Sequence, residues 1–159
     1  NMISRRLNKE VFNFGFSGNG QLDYEVAEVM ASVKAGMFIL DFVPNVSIKQ
    51  IDERMEHFYR IIRDKHPRVP ILFIEDPNFT HIHYSKAIAK EVKDKNEALK
   101  RNYELLKKAG EKNIYYLKGD KILGNDGEGT VDAIHFTDIG FTRYTELLLP
   151  IIKSKALRP

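Results

Sequence analysis

"RVPILFIEDPNFTHIH", residues 68–83, is the stretch on which the fold turns. Val69–Ile74 is apolar almost without a break, Pro67 and Pro70 punctuate its entry, and a polar loop follows. A strand with one wet face would alternate; a near-continuous run of Val, Ile, Leu and Phe signals burial on both faces of a parallel sheet. Three other short segments share this character: Val11–Phe14, Met37–Val43 and Asn113–Leu117. Helical patterns over 22–34, 48–65, 84–109 and 138–156 alternate with them. In 84–109, Val92, Leu99 and Leu106 recur every seven residues beside Ile88 and Tyr103, a stripe that faces a core. Gly110 and Gly36 stand where helix C-caps are expected. The chain therefore predicts one α/β domain, a three-layer α/β/α sandwich with a parallel sheet.

Composition sets the outer limits. The 159 residues suit a single domain, and 43% hydrophobic with 30% charged residues is an ordinary globular balance. A net charge of +3, mixed in sign, does not call for a nucleic-acid partner. The densest basic stretch, 86–108, also carries Glu91, Asp94, Glu97 and Glu104. Its i,i+4 pairs Glu91–Lys95, Glu97–Arg101 and Glu104–Lys108 read as a solvated helix face. Without cysteine there is no disulfide, thiolate nucleophile or Cys-ligated zinc. No apolar run is long enough to span a membrane. "MISRRLN" at 2–8 reads as a helix with Ile3 and Leu7 on one face and no cap before it, in a chain that opens on Asn1. That combination suggests an N-terminal truncation.

In parallel α/β sheets, chemistry sits beyond the C-terminal strand ends. Those ends carry "GFSGNG", "VPNVS", "EDPNFTHIH" and "KGDKILG", and "DGEGTVDAIHFTDIG" leads into the last helix. The glycine loop at 15–20 is a place to hold negative charge: a phosphate, a flavin, or an oxyanion formed only during reaction. Asp132 and His135 form the sharpest signal. A carboxylate three residues before an imidazole can fix its tautomer and leave the other ring nitrogen as a general base. A satisfied interior histidine is the plainer reading of that spacing taken alone. Gly18 and Asn45, at two other strand ends, offer the paired N–H donors of an oxyanion hole.

"FSGNG", the Asn of "LDFVPN", and "DGEGTVDAIHFTDIGF" resemble sequence blocks of the SGNH hydrolases, the GDSL-like esterases and acylhydrolases. The resemblance runs over nearly the whole chain, with Asn45 in "VPN" rather than G-x-N-D and Phe136 where Pro usually follows the histidine. It implies a flavodoxin-like sheet, with Gly18 and Asn45 as oxyanion donors, His135 as base and Asp132 as its orienting partner. It further implies a short-chain acyl ester substrate, small or on a carbohydrate, and no cofactor, metal, nucleic-acid or membrane partner. The similar bacterial branch often carries an upstream β-sandwich domain, and it points to a periplasmic or secreted setting.

The family's nucleophilic serine sits at the end of a first strand to which nothing here corresponds. Residues 1–159 are thus expected to be an N-terminally truncated SGNH hydrolase-like domain, inactive alone, with the serine upstream. Ser17 in "GFSGN" approaches G-x-S-x-G, but Asn19 occupies the fifth position. Three rivals stand beside this reading. One is a flavodoxin-like domain cradling the phosphate of FMN on Ser17–Gly20. Another is a metal site built on His81 and His83, and the last is a catalytically inactive scaffold.

Overall fold

The computed structural model describes residues 1–156. Three parallel strands, β1 (Phe38–Leu40), β2 (Ile71–Ile74) and β3 (Ile114–Leu117), lie side by side in that order. Phe38 stands opposite Ile71, and Ile71 opposite Ile114. The helices are α1 (Met2–Leu7), α2 (Tyr24–Ser32), α3 (Ile48–Lys65), α4 (Lys86–Lys108) and α5 (Asp138–Lys155).

Strand alternation divides the core into two layers. Phe38, Leu40, Ile71, Phe73 and Ile114 face α2, α3 and much of α4, meeting Ala27, Ile51, Met55, Phe58, Ile62, Ala98 and Leu99. Leu72 and Ile74 point the other way, to Ile122, Leu148 and Ile152, with Ile3 and Leu7 of α1 packed alongside. All four β2 side chains are fully buried, as the unbroken apolar run requires of a central strand. The predicted three-layer α/β/α architecture is therefore the one observed.

Several boundaries differ from expectation. Val11–Phe14 is not a strand; Val11 and Phe12 are about half exposed. The reason is pairing: among the described residues no strand lies alongside this run, and a strand forms only in a ladder. The segment 37–43 contracts to β1, because Val43–Asn45 winds into a 3₁₀ turn around Pro44. The helix expected at 22–34 stops at Ser32 with Val33 as its cap, leaving Gly36 beyond it. Gly110 does cap α4. At φ +89 it donates to the Lys107 carbonyl while Glu111 N–H reaches Leu106, the paired bonds of a Schellman motif. On α4, Glu91 pairs with Lys95 as expected, but Glu97 turns to Lys93 and Arg101 crosses to Asp52 on α3.

A cation enters the interior at the far end of α3. Arg63 on α3, 6% exposed, donates from Nε to the Tyr59 hydroxyl and from Nη1 to the carbonyls of His66 and Val69. Its Nη2 reaches the carbonyls of Lys112 and Asn113, just ahead of β3. The Tyr59 hydroxyl in turn donates to Glu111 at 2.6 Å, and Arg60 joins that carboxylate. Burial, then the Glu111 contact, pushes the Tyr59 phenol up to about 12.

Replacing Arg63 by Met should strip these donors from four carbonyls and from the Tyr59 oxygen, lowering unfolding free energy by roughly 3 kcal/mol in urea titrations. Arg101→Ala, which removes a half-exposed pair, should cost less than about 1 kcal/mol in the same measurement.

Candidate active site

The loop from β3 to α5 folds into a tight hairpin. Thr130 and Phe136 form an antiparallel bridge, Val131 N–H donates to the His135 carbonyl at 2.7 Å, and Thr137 N–H to Gly129 at 3.0 Å. Thr137 also caps α5, its hydroxyl oxygen accepting from Gly140 N–H while its proton goes to the Glu128 carbonyl. Gly129 and Gly140 are required here by close approach. A Cβ on Gly140 would fall 2.1 Å from the Gly129 oxygen.

The hairpin tip is an Asx turn built by Asp132. Its Oδ1 accepts from the N–H groups of Ile134 (3.1 Å) and His135 (2.7 Å), with Ala133 held at φ +70. Its Oδ2 lies 2.7 Å from His135 Nδ1. The hydrogen bond from His135, aided by the two backbone donors, holds the Asp132 carboxyl well below the usual carboxylate range. An ionised acceptor on Nδ1 favours the tautomer protonated there and leaves the Nε2 lone pair free. The His135 side chain is 78% exposed, and its Nε2 has no partner among the described residues.

Asn45 closes the 3₁₀ turn after β1 and faces the glycine loop. A Cβ built on Gly18 would lie 3.9 Å from Asn45 Oδ1, and one on Gly20 3.7 Å from its Nδ2. Among the described residues the Asn45 amide has no hydrogen bond, although it is half-buried. Gly18 sits at φ +86. That left-handed backbone is what asks for glycine there, since a Cβ would meet only ordinary contact. Ser17, also left-handed at φ 49, has no bond to His135. The loop does not open directly into a helix: α2 starts only at Tyr24, after Asp23, whose carboxylate meets Arg54.

The fold thus brings together Asp132 with His135, and Gly18 with Asn45, on loops beyond the C-terminal end of the sheet. His81 and His83 gain no third acidic, Cys or His neighbour among the described residues. Glu75 is engaged by Tyr116 and Gly119 N–H. Thr80 meets Thr130 at 2.8 Å, tying the β2 loop to the hairpin. Beside that tie is a recess of about 190 Å³ lined by Asn78, His83, Tyr84, Asn125 and Asp126.

Residues 1–153 match the model of the GDSL-like lipase/acylhydrolase family. A crystal structure of a candidate GDSL-like lipase from Bacteroides ovatus ATCC 8483 superposes with a TM-score of 0.91 at 39% identity, over 96% of this chain and 45% of that one. The salicylyl-acyltransferase SsfX3, from a tetracycline biosynthetic pathway, shares the fold at TM-score 0.80 and 22% identity, over 96% and 47%. This chain spans less than half the length of either structure. No curated protein matches it.

One acidic group lies deeper than its loop position suggests. Asp76, just past β2, is 2% exposed and its Oδ1 has no hydrogen-bond partner. Burial above all, with help from Asp41 and Glu91 and against Lys95, raises its carboxyl to about 7. The native state therefore keeps this proton while the unfolded chain loses it near pH 3.8. Stability from the protonated group is intact below that pH and is lost as pH climbs to about 7. Asp76→Asn, which never ionises, should match the parent near pH 4. By pH 8 it should exceed the parent by on the order of 3 kcal/mol in chemical unfolding.

Proposed function

The chain belongs to the GDSL-like lipase/acylhydrolase family, and from that premise we propose that it supplies the general-base and oxyanion half of a serine esterase. The observation that carries this reading is the 2.7 Å contact between His135 Nδ1 and Asp132 Oδ2, which leaves Nε2 unoccupied and open to solvent. In the proposed reaction Nε2 takes the proton of a serine hydroxyl as its oxygen attacks the ester carbonyl. Asp132 stabilises the resulting imidazolium. The carbonyl oxygen, now negative, accepts from Gly18 N–H and the Asn45 amide. Collapse of the intermediate returns the proton to the leaving alcohol, and water then releases the acyl group by the same route in reverse.

The nucleophile of this scheme is proposed to lie outside residues 1–159, on a strand that adds to the open edge of β1. Residues 1–159 are on this reading an SGNH hydrolase-like domain that is inactive alone. The substrates proposed are short-chain acyl esters, including those on carbohydrates. The polar recess at the hairpin's root supports this choice, because Asn78, Asn125 and the exposed Tyr84 can meet hydroxyl groups and a sugar face. An FMN site is less well supported. The would-be phosphate cradle does not open into a helix N-terminus, because α2 starts only at Tyr24.

Hydrolysis of p-nitrophenyl acetate by the full-length protein tests the reading. Asn45→Ala should cut kcat by roughly 10²–10³, the usual effect of losing one oxyanion donor. His135→Ala should cost more, because one residue both accepts and returns the proton. Parent-like rates from His135→Ala would overturn the proposal.

A further inference from the structure

Asn45 and His135 are carried by separate parts of the fold, yet an oxyanion donor and a base must hold a fixed separation. Among the described residues one side-chain hydrogen bond bridges those parts. Asp41 directly follows β1 and begins the four-residue path to Asn45; its Oδ2 accepts from the Tyr144 hydroxyl at 2.6 Å. Tyr144, on α5, sets its ring edge-on against Phe136 at 5.7 Å and 79°. Phe136 is the residue after His135, it forms the hairpin bridge with Thr130, and Phe141 braces it at 5.3 Å. Among the described residues no other side-chain hydrogen bond joins 38–47 to 129–144.

We propose that Asp41 and Tyr144 are a positioning pair, a strut that sets the oxyanion side of the site at a working distance from the base. This rests on the esterase reading of the same residues. Neither group reaches the reacting atoms in that scheme; they act through Asn45 at one end and through Phe136 and His135 at the other. The surroundings suit a permanent strut. Burial, with the nearby Asp41 charge, keeps the Tyr144 phenol protonated far above neutrality, so it remains a donor. Asp41 is open to water on one side but crowded by protein. That crowding raises its carboxyl pKa, and the Tyr144 bond offsets part of the rise.

A double-mutant cycle in the full-length protein, read as kcat and KM for p-nitrophenyl acetate alongside thermal midpoints, tests this. Tyr144→Phe and Asp41→Ala should each lower kcat by about tenfold with KM changed less than twofold, the scale expected of a small misplacement. The double variant should be no slower than the worse single, because both remove one strut. Asp41→Asn, which keeps an acceptor for the phenol, should restore most of the rate. Should Tyr144→Phe fail to fold, the contrast between Asp41→Ala and Asp41→Asn carries the test. A lower midpoint with kcat unchanged, losses that multiply in the double variant, or no rescue by Asn would overturn the proposal. Inactivity of His135→Ala alongside an unaffected Tyr144→Phe would sink the strut and leave the esterase reading standing. Activity in His135→Ala would remove that reading itself.

Discussion

The guanidinium of Arg63 is the constraint from which the rest of the domain is built. An ion this deeply enclosed is tolerable only when nearly every N–H has an acceptor. Its acceptors are the carbonyls of His66, Val69, Lys112 and Asn113 and the Tyr59 hydroxyl, so satisfying it fixes α3 against the entries of β2 and β3 together. Once Ile71 and Ile114 are level at one end, four residues of ladder make Ile74 and Leu117 level at the other. The loops that carry the site leave from that far end. A charge at the floor of the sheet thus sets the height from which Asp76 and the hairpin begin.

Above the sheet the order comes from short-range geometry rather than burial. Asp132 and His135 are both exposed. The His135 ring is aimed by three bonds to one carboxylate, two of them from backbone N–H groups within three residues. This gives a rigid base on a wet surface, where Nε2 stays accessible. Asn45 is the contrary case. Val43 and Val46, fully enclosed on either side, anchor its turn, while among the described residues its amide has no partner beside the glycine loop. A polar group left half-buried without a partner is costly unless something else completes it, and a carbonyl oxygen carrying charge is a fitting complement.

What could be read beforehand followed the range of the interaction. The α4 stripe and the helix end at Gly110 depend on neighbours a few residues away, and the β2 run carries its two-sided burial in its own composition, so all were visible in the residue pattern. So was the spacing of Asp132 and His135, because an Asx turn closes within itself. Val11–Phe14 misled for the opposite reason. Its composition suits a strand, but strand formation needs a partner, and composition carries no record of one. The Asp41–Tyr144 contact joins residues 103 apart in sequence and was equally hidden. Glu97 and Arg101 show the same limit on a smaller scale: correctly spaced on one helix, each found a different neighbour once α3 lay alongside.

Thr137 has two duties: its oxygen caps α5, while its hydroxyl proton and its backbone N–H hold the root of the hairpin. Helix ends open more readily than helix middles, and amide exchange reports those local openings as cooperative units. Because one side chain closes both structures, the first turn of α5 and the His135 hairpin belong to a single such unit. Loosening the cap would therefore release the base as well. The mobility of the hairpin on the exchange timescale is governed less by its own exposed tip than by how often a buried neighbour, Gly140, lets its N–H go.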